Sequence, residues 1–537
     1  MSIGIQKPNF RSRTSVSTLN FNQAGVIQNR STIGRICRYT VQGVYIYCKN
    51  RRTDMTITSK QTRRNFLKMT AASTACLSFT KAFSSPTLTS FEEQTPSGTI
   101  AVHITAGDKR YSPSGPLAWQ RADRAQSKDV IVLQGVRSRQ PILGFGAAFT
   151  DAACYVIQQL PDAERERLLQ ELFHPDQMAL SVCRSCIGSS DYARGLYSFD
   201  EGGPDPELSR FSIAHDRDYI LPVIRRARQI NNNLFLLASP WSPPGWMKDN
   251  NSMLGGTLRR RNLASYANYI VKFLKAYEAE GVVIDAVTPQ NEVDTDQDSR
   301  MPACLLPQEI EVEYVGQHLG HAIEESGLKT KIWLIDHNYN LWGRAICELD
   351  DEKVRKYTKS IAWHGYLGQP DLVQKVFAAH PDAEMYWTEG GPEITDPNYS
   401  ANWTKWSKTF CEILRNGLRC IIGWNLALDE NGKPNVGPFS CGGLVTIHSR
   451  TNEVIRSGQY WAFAHYSRAF RRAGTVIQSD GEIRDIHHVA AENPDGTYAM
   501  VLTNTGPDRR TVWVKQGKSA AEVPLPPDSV VTLAWNR

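Results

Sequence analysis

From residue 142 to residue 425 the chain repeats one hydrophobic pattern, a short apolar run followed by an amphipathic stretch of helical length. Continuous apolar runs of this length are typical of parallel strands that are buried on both faces. The amphipathic stretches, such as 161–172 and 263–280, are typical of crossover helices. Eight runs can be counted: 142–149, 180–187, 234–239, 283–290, 331–336, 360–364, 384–389 and 420–425.

Eight strand–helix units over about 300 residues predict a (β/α)8 barrel. The runner-up is an open doubly wound sheet, but the glycine-rich phosphate turn of that fold follows none of the runs. Outside the barrel, residues 97–140 and 457–537 alternate β-prone segments with turn and hairpin signals. We therefore predict a barrel over residues 141–456 and a β-sandwich side domain built from both flanking segments.

Charge is distributed unevenly along the chain. The net charge is +6, but residues 1–54 carry +8 and residues 55–84 carry +5, which leaves −7 for the rest. A body of that charge lacks the positive field that nucleic-acid binding requires. Nucleic acid is therefore not an expected partner.

The basic leader contains a specific pattern. Arg63 and Arg64 are followed by Phe-Leu-Lys, a short apolar stretch and a small-residue zone, which resembles a twin-arginine export signal over residues 55–84. The apolar stretch is too short to span a membrane. Because such signals begin near the initiator, we expect translation from Met55 and interpret residues 1–54 as misassigned or as a disordered extension. The predicted location is periplasmic or extracellular, with the twin-arginine machinery as a partner of the precursor.

Two carboxylates stand at the ends of predicted strands. Glu292 follows the fourth run, and Glu389 is the last residue of the seventh. Strands four and seven face each other across a barrel mouth, and the C-terminal ends of barrel strands carry function. A glycosidase needs two such facing carboxyl groups, one to protonate the leaving oxygen and one to attack the anomeric carbon. A lone Glu is usually a solvated charge, but a carboxylate at the end of an apolar strand is costly without a partner.

Several motifs in order resemble glycoside hydrolase family 30, the family of lysosomal glucosylceramidase. They are Gly-Phe-Gly-Ala-Ala-Phe-Thr-Asp-Ala-Ala at 144–153, Ala-Ser-Pro-Trp-Ser-Pro-Pro-Gly-Trp at 238–246, Ala-Val-Thr-Pro-Gln-Asn-Glu at 286–292, His-Gly-Tyr at 364–366 and Gly-Trp-Asn-Leu-Ala-Leu at 423–428. One departure is Val293, where the clan usually has Pro after the acid/base. A second is that residues 293–305 match no family motif. The loops of this segment shape the acceptor side of the site, so the sequence does not predict which acceptor is bound.

The resemblance implies a role for each matching residue. Glu292 would be the acid/base and Glu389 the nucleophile. Glu393 is a second carboxylate near Glu389, but it lies beyond a Gly-Gly-Pro turn rather than at the end of the strand. The resemblance implies that Asn291 binds the sugar 2-hydroxyl and that three residues surround the glucose: Asp191, Trp241 and Trp424. It also implies that Arg184 and Tyr366 lie beneath the nucleophile. His364 is expected to join the hydrogen-bond network of these two residues. A cation there is expected to leave the higher pKa on Glu292.

The implied activity is a retaining β-glycosidase acting on β-glucosides or on a glycolipid such as glucosylceramide, with no cofactor. The alternatives are an endo-β-1,6-glucanase or a β-xylosidase of the same family and, from another class, a non-catalytic carbohydrate-binding barrel. A metal site is not predicted, because no His/Asp cluster stands at the strand ends. Cys183 and Cys186 have a metal-like spacing, but they lie in an apolar run without a second pair and are interpreted as core residues.

Overall fold

The computed structural model describes residues 96–125 and 127–536, together with two short strands that precede them. The chain divides into two compact units, Met1–Leu88 and Thr89–Arg537. In the first unit, β1 (Thr40–Val41) pairs antiparallel with β2 (Val44–Tyr45). The predicted export signal at 55–84 and the rest of the predicted extension at 1–54 lie outside the described residues.

Four strands of the second unit precede the barrel. They are β3 (Ser97–Ala106), β4 (Lys109–Ala118), β5 (Gln120–Arg121) and β6 (Val130–Pro141). β3 and β4 pair antiparallel, as the alternating pattern of residues 97–140 predicts. β3, β5 and β6 also pair with C-terminal strands rather than with the barrel.

Eight parallel strands then close into a barrel, in which β14 pairs back onto β7. The strands are β7 (Gly144–Phe149), β8 (Val182–Ile187), β9 (Phe235–Pro240), β10 (Ala286–Val287), β11 (Lys331–Asn338), β12 (Ser360–His364), β13 (Glu384–Glu389) and β14 (Cys420–Asn425). All eight predicted runs are confirmed, and the fourth is shorter than its apolar run.

The helices lie between and after these strands. They are α1 (Asp151–Gln158), α2 (Asp162–Phe173), α3 (Ala214–Arg217), α4 (Ile220–Ile230), α5 (Leu263–Ala279), α6 (Gln308–Tyr314), α7 (Gly320–Ser326), α8 (Trp342–Asp350), α9 (Glu352–Tyr357), α10 (Val373–Ala379), α11 (Trp403–Arg415) and α12 (Gly458–Ser467). The helices predicted at 161–172 and 263–280 correspond to α2 and α5. In the described part of the chain, none of the helices is long and apolar enough to span a bilayer.

Side chains fill the interior of the barrel. One residue or two from each of seven strands meet there: Val182, Leu237, Ala286, Trp333, Ala362, Tyr386, Cys420 and Ile422. The rings of Trp333 and Tyr386 stack with their centroids 3.7 Å apart. The barrel is therefore a packed core rather than a pore, so a ligand can reach it only at the strand ends. Cys183 and Cys186 are buried free thiols on β8, as predicted.

Nine strands follow the barrel. β15 (Ala427–Leu428), β16 (Val445–Ile447) and β17 (Val454–Arg456) form a small sheet beside it. The others are β18 (Thr475–Asp480), β19 (Ile486–Glu492), β20 (Tyr498–Asn504), β21 (Arg510–Gln516), β22 (Ser519–Leu525) and β23 (Ser529–Asn536). They join the N-terminal strands in one sheet of ten, ordered β4-β3-β23-β20-β19-β18-β6-β21-β22-β5, around a separate apolar core. The predicted side domain made from both flanking segments is thus confirmed.

The first element after Ser457 is a helix, α12, where the sequence pattern predicted strands. Ser457 caps its N-terminus by accepting a hydrogen bond from the Tyr460 N–H at 3.2 Å. Nine of its ten residues are buried, and only Trp461 is partly exposed. A helix that is covered on all sides has no polar face, so it lacks the 3.6-residue periodicity by which a sequence reveals a helix.

Candidate active site

Glu292 and Glu389 meet at the C-terminal mouth of the barrel. Glu389 ends β13, and Glu292 follows β10 by five residues. One ligand atom from each of Glu292, His364 and Glu389 lies within 4.8 Å of the others. Both carboxyl groups line a cavity of about 660 Å³. The sequence-based expectation of facing carboxylates therefore agrees with the geometry.

Backbone contacts to neighbouring strands aim Glu292 into the cavity. Its φ is +54°, in the left-handed region that non-glycine residues rarely adopt. The Glu292 N–H donates to the Asp336 carbonyl at 2.9 Å, and the Asn291 N–H donates to the Pro240 carbonyl at 2.8 Å. Strain of this kind costs about 1–3 kcal/mol and persists only where the surroundings determine the conformation. Here the ends of β9 and β11 do so.

Arg184 on β8 is fully buried and donates hydrogen bonds to three side chains of the site. Its Nη1 donates to Glu389 Oε2, and its Nη2 donates to Asn291 Oδ1 and Asp336 Oδ2, both at 2.7 Å. The Tyr366 hydroxyl donates to the other oxygen of Glu389 at 3.0 Å. Arg184 and Tyr366 thus both contact Glu389, in the position that the resemblance implied.

Asp336 is the centre of this network and was missed by the sequence analysis. Its Oδ2 accepts hydrogen bonds from Arg184, from the Ser239 hydroxyl at 2.8 Å and from the Thr288 hydroxyl at 2.7 Å. Its Oδ1 accepts from the Thr388 hydroxyl at 2.8 Å and lies 3.1 Å from His364 Nε2. Burial raises the pKa of Asp336, but the Arg184 guanidinium holds it far below its usual range. The sequence did contain a signal for Asp336, because this residue ends the fifth apolar run, as Glu389 ends the seventh.

His364 lies between the two carboxyl groups but closer to Glu292. Its Nδ1 is 3.4 Å from Glu292 Oε1 and 3.8 Å from Glu389 Oε1. Burial lowers the pKa of His364, but the carboxylates of Glu389, Asp336 and Glu292 together raise it to about 9. The imidazole is therefore protonated at neutral pH.

His364 places a second cation at the two carboxyl groups, closer to Glu292 than to Glu389. Burial raises the pKa of Glu292, but the hydrogen bond and charge of His364 bring it below its usual value. Burial raises the pKa of Glu389, and the charge of Glu292 adds to it against the charges of His364 and Arg184. The expectation of a higher pKa on Glu292 counted the cation beneath Glu389 and not the one beside Glu292, and it stays a prediction.

The predicted glucose-binding residues line the same cavity as the two carboxyl groups. Trp241 and Trp424 stack with ring centroids 5.0 Å apart, and the Arg184 guanidinium lies 4.6 Å from the Trp241 ring. Asp191 is 3% exposed in the loop after β8. Burial raises the pKa of Asp191 well above its usual range, and the charges of Glu389 and Glu292 raise it further. A donor hydroxyl would offset that cost.

Three further residues lie at the edge of the site, two of them close to Glu292. Gln297 Nε2 donates to Glu292 Oε2 at 2.5 Å, and His337 Nε2 lies 3.8 Å from Glu292 Oε1; neither residue was predicted. Gln297 lies in the segment that matches no family motif, so no signal pointed to it. Glu393, the carboxylate near Glu389 that was not assigned as nucleophile, is exposed at the rim of the cavity.

Glu292, His364 and Glu389 lie close enough together to share a metal ion by distance alone. Their electrostatics oppose it. Arg184 already places a cation on Glu389, and the pKa of His364, near 9, keeps a proton on the imidazole. A metal ion would have to displace that proton beside a guanidinium, so the cluster suits proton transfer better than metal binding.

Barrel glycoside hydrolases carry two carboxyl groups at the mouth of a closed parallel barrel, which is the arrangement in this chain. The family model described as the glycosyl hydrolase family 30 TIM-barrel domain matches residues 142–470, and that of the family 30 β-sandwich domain matches residues 474–533. The chain is an enzyme of this class and belongs to glycoside hydrolase family 30.

Its relatives within the family differ in activity. An endo-1,6-β-D-glucanase of Neurospora crassa is 32% identical over 75% of this chain and 88% of its own length. The lysosomal acid glucosylceramidase of Mus musculus is 25% identical over 78% of this chain and 85% of its own length. A solved structure of an endo-β1,6-glucanase superimposes with a TM-score of 0.74 at 29% identity, covering 82% of this chain and all of that one.

Proposed function

We propose that the enzyme is a retaining β-glycosidase in which Glu389 is the nucleophile and Glu292 the general acid/base. The supporting observation is the distance of at most 4.8 Å between their nearest oxygens. Inverting enzymes keep their carboxyl groups about 6.5–9.5 Å apart to admit a water, whereas retaining enzymes keep them about 5–5.5 Å apart. In the first step Glu389 attacks the anomeric carbon while Glu292 protonates the leaving oxygen. In the second, Glu292 deprotonates the water that cleaves the glycosyl-enzyme.

The neighbours of each carboxyl group support this division of roles. Glu389 is oriented by Arg184 and Tyr366, whose hydrogen bonds favour the ionised, attacking form of its carboxyl group against the opposite effect of burial. Glu292 lies next to His364, which titrates and can exchange a proton with it. One proton shared by His364 and Glu292 is sufficient for acid catalysis, and it can sit on the imidazole until a leaving oxygen arrives.

Four side chains would hold the sugar in the −1 position. Asn291, kept in place by Arg184, would accept or donate a hydrogen bond at the 2-hydroxyl, an interaction that strengthens in the transition state. Asp191 would accept hydroxyl donors at the far end of the ring. Trp241 and Trp424 would supply a flat apolar wall for the C–H face of the pyranose.

For the substrate we propose a β-1,6-linked glucan. The sequence analysis placed β-glucosides and glucosylceramide first and endo-β-1,6-glucanase second, and the relatives favour the second. The Neurospora glucanase is more similar to this chain than the mouse glucosylceramidase is, and the solved glucanase structure agrees with it. Glucosylceramide is the second candidate, since Tyr366 and Phe439 leave exposed apolar surface at the cavity.

A substrate comparison tests this choice. Purified enzyme would be incubated with a linear β-1,6-glucan, glucosylceramide, an aryl β-glucoside and an aryl β-xyloside, and the products separated by chromatography. We expect oligosaccharides from the glucan at the highest kcat/KM. Release of ceramide at a higher kcat/KM would replace the proposal by its second candidate.

Two variants test the roles of the carboxyl groups. Glu389→Gln should abolish turnover, a loss of at least about 10³-fold, with an unchanged melting temperature. Glu292→Ala should retain activity on an aryl glycoside with a good leaving group, and azide should rescue it to give a β-glycosyl azide. An α-azide would indicate inversion and overturn the mechanism.

We also propose export by the twin-arginine route, on the pattern around Arg63 and Arg64. N-terminal sequencing of the precursor and of the mature protein tests it. We expect a precursor that begins at Met55 and a mature protein that begins near residue 85. Recovery of a peptide from residues 11–50 would contradict the proposed start.

A further inference from the structure

The loop that follows Glu292 contains an unusual turn. Gln297, Asp298 and Ser299 are consecutive and have φ values of +53°, +50° and +58°. None is glycine, and each left-handed residue costs about 1 kcal/mol or more. Three in succession persist only where the surroundings hold the loop in place, and such strained residues cluster at functional sites.

A neighbouring loop, residues 245–258, provides that support. The Ala303 N–H donates to the Met253 carbonyl at 3.2 Å, and the Leu305 N–H donates to the Gly256 carbonyl at 2.9 Å. Gly255 packs directly under Ser299, since a Cβ at position 255 would lie 2.2 Å from the Ser299 hydroxyl oxygen.

A buried ammonium group ties the two loops together. Lys248, which is fully buried, donates from Nζ to the Ala303 carbonyl at 2.6 Å, the Met253 carbonyl at 3.0 Å and the Ser242 hydroxyl at 3.0 Å. All three of its protons are used. The loop that carries the strained turn is therefore rigidly attached to the barrel mouth.

The turn directs one side chain at the reacting groups. Gln297 Nε2 donates to Glu292 Oε2 at 2.5 Å, and Gln297 lines the cavity next to Thr295 and Met301. Asp298 and Ser299, in the same turn, are exposed and line no part of it. An amide nitrogen donates hydrogen bonds and cannot accept a proton, so Oε2 stays an acceptor. A proton on Glu292 must then sit on Oε1, the oxygen that lies 3.4 Å from His364 Nδ1.

We propose that Gln297 is a positioning residue, whose amide fixes Oε2 of Glu292 and thereby presents Oε1 as the oxygen that protonates the leaving group. This inference rests on the proposed role of Glu292 as acid/base. It also assigns the loop at 293–306 to the leaving-group side of the cavity, because the turn begins five residues after the acid.

The test compares leaving groups that do and do not need a proton. We would measure kcat/KM for phenyl and 2,4-dinitrophenyl β-glycosides with the glycone that wild-type enzyme cleaves fastest. Gln297→Met keeps the side-chain length without the donor. We expect the phenyl substrate to lose about 10-fold, part of the 10²–10⁴-fold that general acid catalysis supplies, and the dinitrophenyl substrate to change less than about 2-fold.

A pH profile supplies the second readout. The amide hydrogen bond favours the ionised form of Glu292, so its loss should shift the alkaline limb of kcat/KM for the phenyl substrate to higher pH. Gln297→Glu, which places a like charge beside Glu292, should shift the limb further in the same direction. Asp298→Asn, in the same turn and without a contact to Glu292, should leave the leaving-group ratio and the limb as in wild type.

Equal losses with both leaving groups, or an alkaline limb that does not move in either Gln297 variant, would overturn the proposal and leave Gln297 a structural residue. These outcomes are distinct from failure of the proposed function. In that case wild-type enzyme would cleave neither aryl glycoside, or Glu292→Ala would not be rescued by azide.

Discussion

At the scale of single residues, the site depends on buried charges that compensate one another. Asp336 receives donors from Arg184, Ser239, Thr288 and Thr388, and His364 lies beside it, so that one carboxylate orients groups on five strands or strand ends. A buried charge is stable only when it is paired and hydrogen-bonded. Asp336 therefore supports catalysis without touching the substrate cavity.

We expect Asp336→Asn to lower both stability and activity. It leaves Arg184 and His364 without their shared carboxylate, which should reduce the free energy of unfolding by about 3–5 kcal/mol. It should also reduce kcat/KM by about 10²-fold through misplacement of Glu389. Thr388→Val removes one of the donors and should cost only about 1–3 kcal/mol in urea unfolding. Equal costs for the two variants would contradict a central role for Asp336.

The raised pKa of His364 predicts a pH dependence of stability. The pKa is about 9 in the folded protein and 6.5 in the unfolded chain, so the stabilisation is complete below pH 6.5 and is lost as the pH rises through 9. We expect the free energy of unfolding to fall by about 1–3 kcal/mol between pH 6.5 and 9.5 from this group. In His364→Gln that decline should be absent, as urea unfolding at the two pH values would show. The same decline in variant and wild type would refute the assignment.

At the scale of secondary-structure elements, β11 is bent where it enters the site. Ile335 and Asp336 have φ values of +73° and +44°, and the pairing with β12 shifts register there. This bulge turns the Asp336 carbonyl toward the Glu292 N–H. It also frees the Ile335 N–H, which donates instead to the buried Glu311 carboxylate on α6 at 3.1 Å. Arg344 on α8 donates to Glu311 and, at 2.7 Å, to the Leu306 carbonyl.

Glu311 should therefore matter to the site although it lies outside the cavity. Glu311→Ala leaves the Ile335 N–H and one side of Arg344 unpaired, and we expect it to cost about 3 kcal/mol and to lower kcat. Glu309→Ala, an exposed change on the same helix, should stay within about 0.5 kcal/mol of wild type. Thermal melting and kcat of both variants test this. Unchanged kcat in Glu311→Ala would show that the bulge needs no such support.

At the scale of the whole molecule, both flanks of the barrel form one sheet. β6 pairs with β18 and β21, and β3 pairs with β23, so strands more than 300 residues apart in sequence are neighbours. α12 connects this sheet to the barrel. The two ring nitrogens of its His465 lie 2.7 Å from the Thr532 hydroxyl and 2.8 Å from the Thr105 hydroxyl.

Truncation tests this interdependence. A chain that ends at residue 473 keeps every barrel strand but loses β18–β23, and with them both partners of β6 and one of the two partners of β3. We expect it to be insoluble or to melt well below the full chain, because the apolar faces of β3 and β6 lose their core. Circular dichroism melts of the two proteins provide the comparison. A soluble fragment with an unchanged melting temperature would show that the barrel folds independently.

The sequence predicted the architecture well, because the relevant signals are local. A strand buried on both faces must be apolar along its length, and so all eight barrel strands could be read as runs. α12 was not recognised, since a helix buried on all sides has no periodic polar face. The same interpretation identified the carboxyl group that follows β10 and the one that ends β13, and applied to the fifth run it would also have identified Asp336.

By itself the sequence determined the barrel and the family, because both depend on patterns along the chain, and it predicted the pair Glu292 and Glu389 from their places relative to two strands. Only the tertiary structure decided how the pair is charged and held. The 3.4 Å from His364 to Glu292, the bulge in β11 and the left-handed turn at Gln297 each depend on groups far apart in sequence. Electrostatic effects follow distance in space, which a linear pattern does not contain.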